Sequence, residues 1–146
     1  MDQKLDYFSR FPDLIASGKG PRTILGLRKN LRFCLKYLSA WLQGVGSICI
    51  DNKLEDLSSL EISRAQLWQW KRHNILLDDG EYVTTDLIEK FLEIEYENAR
   101  IELQSTIFQS DNFDIQENHL INAKNLTVNL VCSDIMIDYF TNFVYE

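Results

Sequence analysis

With 146 residues, the chain has the size of one globular domain and is too short for two. Its 45% hydrophobic and 25% charged residues match ordinary globular usage and exclude a disordered chain. A net charge of −7, a pI near 4.8 and the lack of any basic-aromatic motif fit poorly with nucleic acid as a partner.

No apolar run approaches the ~20 residues of a membrane span, and Met1-Asp2-Gln3-Lys4-Leu5-Asp6 lacks the basic-then-apolar order of a signal peptide. The end, Val144-Tyr145-Glu146, differs from the S-K-L of peroxisomal delivery. A cytoplasmic location without a membrane partner is the expectation. The three cysteines, Cys34, Cys49 and Cys132, are widely spaced and form no C-x-x-C pair. Reduced, mostly buried thiols and no metal site on this chain are expected.

Residues 1–21, with Pro12, Gly18, Gly20 and Pro21, read as a loose lead segment, and residues 22–146 as a helical domain. A first long helix is predicted over 23–43, where Ile24, Leu27, Leu31, Cys34, Leu35, Leu38, Trp41 and Leu42 recur at steps of three or four. Gly44 ends it. Ser47-Ile48-Cys49-Ile50 predicts a short extended link outside any sheet, followed by a loop over 51–60. Ser63 predicts the cap of the next helix, with Gln66 completing a capping box. Leu67, Trp68 and Trp70 give that helix its packing surface. Asn74 and Asp78-Asp79-Gly80 mark a turn.

A long helix then starts at Thr84 or Thr85 and runs to about Phe108, with Leu87, Ile88, Phe91, Leu92, Ile94, Ala99 and Ile101 at helical spacing. Two weaker helices close the chain, over about 114–130 and, after Ser133 as cap, 134–143. The expected fold class is all-α, a bundle of about five helices without internal repeats.

The run from Gly44 to Trp70, GVGSICIDNKLEDLSSLEISRAQLWQW, resembles a motif of the C-terminal domain of malate synthase, G-x-G-C-x-P-I-N-N-x-M-E-D-A-A-T-A-E-I-S-R-x-Q-x-W-Q-W. The resemblance extends upstream through Gly20-Pro21-Arg22-Thr23 and Gly26-Leu27-Arg28-Lys29-Asn30, and downstream through Leu77-Asp78-Asp79-Gly80 and Val83-Thr84. It covers roughly residues 13–100 well. The tail matches mainly in helical pattern and in Ser133-Asp134 and Tyr145-Glu146.

In that family the aspartate of M-E-D is the catalytic base, which the resemblance places at Asp56. Leu54 stands for the methionine, an apolar wall beside the acetyl group, and Leu54 and Glu55 are the implied substrate-binding neighbours. The implied chemistry is a Claisen-type condensation: acetyl-CoA loses a methyl proton, the enolate attacks glyoxylate to give malyl-CoA, and malate and CoA follow. The family carries its magnesium carboxylates and glyoxylate-binding arginine on a TIM barrel of about 250 residues, which this chain cannot contain. The implied role is therefore that of a plug or cap. Its partner would be a malate synthase-type barrel, with acetyl-CoA at the shared interface, magnesium on the barrel and no cofactor held by this chain alone. No turnover is expected from the chain by itself. An aspartate with an ordinary pKa near ~3.9 is a weak base, so the assembled site must desolvate it and stabilise the enolate electrostatically. Read from its residues alone, Glu55-Asp56 before a helix is a solvated charge favoured by the helix dipole.

Departures from the motif keep a second reading open, a non-catalytic helical interaction module derived from malate synthase. The family's small A-A-T-A is Leu57-Ser58-Ser59-Leu60, with two bulky side chains next to the base. Ser47 stands at the family cysteine and Cys49 at its proline. A plug without its barrel exposes an apolar face, so self-association is also expected.

Charge is uneven: from Leu14 to Ile50 there is no Asp or Glu, and Lys19, Arg22, Arg28, Lys29, Arg32 and Lys36 give +6 against −13 for the rest. Arg28, Arg32 and Lys36 share one helical face. That face is either solvated, docked on an acidic neighbour, or an attractor of CoA phosphates or an acidic barrel rim. Gly44-Val45-Gly46 follows a helix instead of a strand and fails as a phosphate loop. His73 and His119 stand alone in sequence. Asn125-Leu126-Thr127 matches a glycosylation sequon in pattern only.

Overall fold

The structure, a computed structural model, describes residues 22–50, 52–106 and 110–136. Among them it holds four helices and one two-stranded antiparallel hairpin: α1 (Ile24–Leu42), β1 (Ile48–Ile50), β2 (Lys53–Glu55), α2 (Leu57–Arg72), α3 (Thr85–Thr106) and α4 (Ser110–Cys132). The all-α expectation holds, with four helices in place of about five. The segment expected to form the last helix, 134–143, lies outside the described residues from 137 onward.

The apolar stripe read from the sequence makes α1 the centre of the bundle. Leu27, Leu31, Cys34, Leu35 and Leu38 are buried, and α1 packs against all three other helices. Each fully buried leucine contributes about 1.5–3 kcal/mol relative to exposure. Leu60 and Leu67 from α2, Ile88 and Leu92 from α3, and Ala123 and Leu130 from α4 complete the same core. On α3 the buried stripe also takes in Glu95 and Tyr96, while Ile94 and Ile101, expected on the inner face, are exposed.

Both ends of α1 are fixed by local chemistry. The Thr23 hydroxyl accepts from the Gly26 N–H, and Asp79 Oδ1 accepts from the Ile24 N–H at 2.9 Å, so an acidic loop residue meets the positive end of the helix dipole. At the other end the Gly44 and Val45 N–H groups donate to the carbonyls of Trp41 and Ala40. Gly44 lies at φ +89, the left-handed conformation that this paired closure requires and that glycine adopts without a Cβ clash.

Three expectations after Gly44 are corrected. Residues 48–50, expected as a link outside any sheet, form β1 and pair with β2. The loop expected over 51–60 is mostly β2 and the first turn of α2. The cap of α2 is Asp56, not Ser63. An aspartate that ends a strand in extended conformation, φ −131 and ψ −170, can place its carboxylate over the orphan N–H groups of the helix it starts. Ser63 lies mid-helix and buried, where its S-x-x-Q pattern serves packing between helices. The α4 helix also begins four residues before its expected start and ends two after its expected end.

Candidate active site at the hairpin and the start of α2

The hairpin pairs Ile48 with Glu55, Cys49 with Leu54 and Ile50 with Lys53, and Asn52 takes φ +66 in its turn, a conformation asparagine tolerates better than most residues. Asp56 follows directly. Its Oδ1 accepts from the Ser58 N–H at 3.0 Å and the Ser59 N–H at 3.3 Å. The side chain is exposed, and no hydrogen bond to its Oδ2 forms among the described residues. Because Asp56 keeps extended backbone, the two-residue alternation sends Leu54 and Asp56 to one side and Glu55 to the other. Leu54 is 78% exposed and Leu57 37% exposed, so apolar side chains open to solvent stand along the chain on either side of Asp56. Glu55 is half-buried.

Leu60 is fully buried in the core. Of the two bulky side chains next to Asp56, only Leu57 faces outward, so a clash at the surface can come from Leu57 alone. Cys49, expected as a mostly buried thiol, is exposed opposite Leu54, whereas Cys34 is buried and Cys132 half-buried. Burial pushes the Cys34 thiol up to about 12, against the smaller opposing effects of the Ser63 hydroxyl and the Arg64 charge.

The basic face of α1 docks on acidic residues of α3. Arg28 Nε and Nη2 both reach Glu95 Oε2, at 2.8 and 2.7 Å, with Glu95 only 3% exposed. Lys36 Nζ lies 3.3 Å from Glu102 Oε2 at the surface. Arg32 forms no ion pair among the described residues and is half-buried.

Sequence reasoning passed over Tyr37 and gave Asn30 no role beyond the motif. Tyr37 is fully buried, and its hydroxyl donates to the Gly46 carbonyl at 2.6 Å, tying α1 to the segment that enters the hairpin. Burial, and next the Asp56 carboxylate, push its phenol above the usual range. Asn30 links α1 to α2: its Nδ2 donates to Gln66 Oε1 at 2.6 Å, and its Oδ1 accepts from the Ser63 hydroxyl at 3.3 Å. Arg64, 1% exposed, pairs with Glu61 at 2.5 Å and reaches Met136 Sδ. Much of the E-I-S-R-x-Q run therefore holds helices together. The signal for Tyr37 was its spacing, three residues after Cys34, next to the stripe.

Elsewhere, Trp68 Nε1 donates to the Ser133 carbonyl at 2.8 Å, and His73 caps α2 through its backbone N–H. Thr127 of the sequon is buried in α4, with its hydroxyl on the Ala123 carbonyl. Among the described residues no group of three His, Cys, Asp or Glu is placed to hold a metal, and no helix is long and apolar enough to cross a membrane.

Fold and site together define a small all-α module that presents an exposed, helix-capping carboxylate between apolar side chains. The chain belongs to the malate synthase C-terminal domain family: the family profile described as "Malate synthase, C-terminal" matches residues 21–146. The bifunctional glyoxylate cycle protein of Caenorhabditis elegans is 34% identical over 134 residues, 92% of this chain and 13% of that protein. Malate synthase A of Escherichia coli is 34% identical over 128 residues, 88% of this chain and 23% of that protein. A glyoxysomal malate synthase of Zea mays is 44% identical over 95 residues, 63% of this chain and 17% of that protein. The chain thus spans less than a quarter of the length of each of these relatives.

Proposed function

We propose that this chain supplies the general base of a malate synthase reaction, acting as the cap on a TIM barrel that lies outside these 146 residues. The carrying observation is the exposed Asp56 carboxylate at the start of α2, flanked by Leu54 and Leu57, in a chain of this family. A barrel surface that closes over the hairpin would press those apolar side chains around the carboxylate and exclude water. Desolvation raises the proton affinity of a carboxylate, which a base acting on a carbon acid needs.

In the proposed reaction Asp56 takes a proton from the methyl group of acetyl-CoA. The C–H electron pair becomes the C=C bond of the enolate as the carbonyl pair moves onto oxygen. The enolate carbon bonds to the aldehyde carbon of glyoxylate as the aldehyde C=O pair moves onto oxygen. This alkoxide takes up one proton, in balance with the one that Asp56 removed and gives back, and water cleaves the thioester of malyl-CoA to release malate and CoA. Leu54 neighbours the acetyl end in this reading, whereas Glu55, expected beside the substrate, lies on the other side of the strand and supports the loop. Of the basic face, Arg32 remains the best placed to meet CoA phosphates or the barrel rim, since Arg28 and Lys36 already face Glu95 and Glu102. Magnesium belongs to the barrel in this scheme, and no step on this chain is routed through it. The proposed location is the cytoplasm.

The test combines the chain with a malate synthase-family barrel that lacks its own C-terminal domain and follows thiol release from acetyl-CoA and glyoxylate. Asp56→Asn keeps a side chain able to cap the helix, so assembly and stability stay near those of the parent while turnover is lost. A complex that keeps its full rate with Asp56→Asn would refute Asp56 as the base.

A further inference from the structure

Resting on the reading of Asp56 as the base, we infer that Tyr37 is its positioning residue: the phenol hydroxyl, by holding the Gly46 carbonyl, fixes the hairpin that delivers Asp56 to the start of α2. The path is short and continuous. Tyr37 stands on α1, which packs against all three other helices, and is itself fully buried. Its hydroxyl reaches the Gly46 carbonyl at 2.6 Å. Two residues later Ile48 pairs with Glu55, and Asp56 follows Glu55 directly.

A three-residue strand pair is marginal without outside support. The hairpin meets α1 and α2 only through limited packing, and its outer face, with Cys49 and Leu54, is open to solvent. The phenol is therefore one tether between the buried core and the segment that leads to Asp56. A general base must stand within about half an ångström of its productive position, so a loosened hairpin lowers the rate of proton removal without altering groups that bind substrate elsewhere.

Amide hydrogen exchange on the full chain tests this with Tyr37→Phe, which keeps the ring and its stack on Phe33, 6.0 Å between centroids, and removes only the donor. Loss of one such hydrogen bond corresponds to roughly threefold to tenfold faster local opening. The expected result is that increase at the hairpin amides and at Ser58 and Ser59, with Leu31, Leu35 and Leu92 of the core unchanged. Cys34→Ala serves as the comparison: it destabilises the same helix from the side facing Ser63 and is expected to speed exchange broadly, not at the hairpin alone. In an active complex with a barrel, Tyr37→Phe is expected to lower kcat severalfold at unchanged KM for glyoxylate. Unchanged hairpin exchange, or exchange raised evenly across the chain, overturns the role of Tyr37. Retained turnover in Asp56→Asn overturns the base assignment instead, and the exchange pattern then still decides whether Tyr37 holds the hairpin.

Discussion

Replacing Leu60 with alanine separates two meanings of its bulk. In the sequence, Leu57 and Leu60 both stand where the family has alanine, and both read as obstacles beside the base. In the structure Leu60 is fully buried and Leu57 is 37% exposed. Leu60→Ala removes three buried carbons, about 2.4 kcal/mol at ~0.8 kcal/mol each, and the cavity left behind brings the loss to about 3 kcal/mol, within the usual 2–5. In a domain of this size the entropy of unfolding makes that a fall of about 10 °C in Tm. Leu57→Ala removes partly solvated carbons at the first helical position, where alanine is the better helix former, and is expected to cost about 1 kcal/mol or less. Urea unfolding followed by the fluorescence of Trp41, Trp68 and Trp70 measures both, with the midpoint moving and the slope m unchanged. A costlier Leu57→Ala than Leu60→Ala would refute this placement of the two side chains. One residue of shift turns a helix by about 100°, so that result would mean α2 does not start at Leu57 and Asp56 is not its cap. In a working complex, Leu57→Ala is the change expected to raise turnover if surface bulk impairs the pocket.

Arg28→Ala leaves the buried Glu95 carboxylate without its cation and is expected to cost about 2 kcal/mol, below the 3–5 of a fully buried pair because Arg28 is 33% exposed; the double change Arg28→Met with Glu95→Leu should recover most of it in the same urea assay, and a double mutant as unstable as the single would contradict the pairing. Stability should fall at alkaline pH. The Cys34 thiol is raised to about 12 by burial, and burial also raises the Tyr37, Tyr96 and Cys132 groups. Their neutral forms are favoured in the folded state, so this contribution is fully present below the unfolded pKa values of ~9 for thiols and ~10 for tyrosines and is lost as pH rises through the folded values. Thermal melts between pH 7 and 11 should show the decline, and Cys34→Ala with Tyr37→Phe should flatten it.

The central helix was legible because a one-dimensional pattern sufficed: Leu27, Leu31, Leu35 and Leu38 repeat at helical spacing and the glycine at 44 can take the φ of +89 that closes the helix. The segment 47–63 was misread because its competing signals are local and near equal. Ser63 with Gln66 makes a capping pattern as good as that of Asp56, and three residues of β1 are too few to show alternation. The choice between them depends on a hairpin whose partner strand is another three-residue segment.

By itself the sequence determined the family and the helical class, since these follow from the order and spacing of residues along one chain. Tertiary structure decided which side of α2 each residue faces, and with it that Leu60 fills the core while Leu57 and Leu54 flank Asp56. It also decided that the basic face of α1 meets Glu95 and Glu102, 67 and 66 residues away, and that Tyr37 holds Gly46. The physical reason is that a side chain's partner is set by how helices pack, and packing brings together residues whose separation in sequence carries no periodic signal.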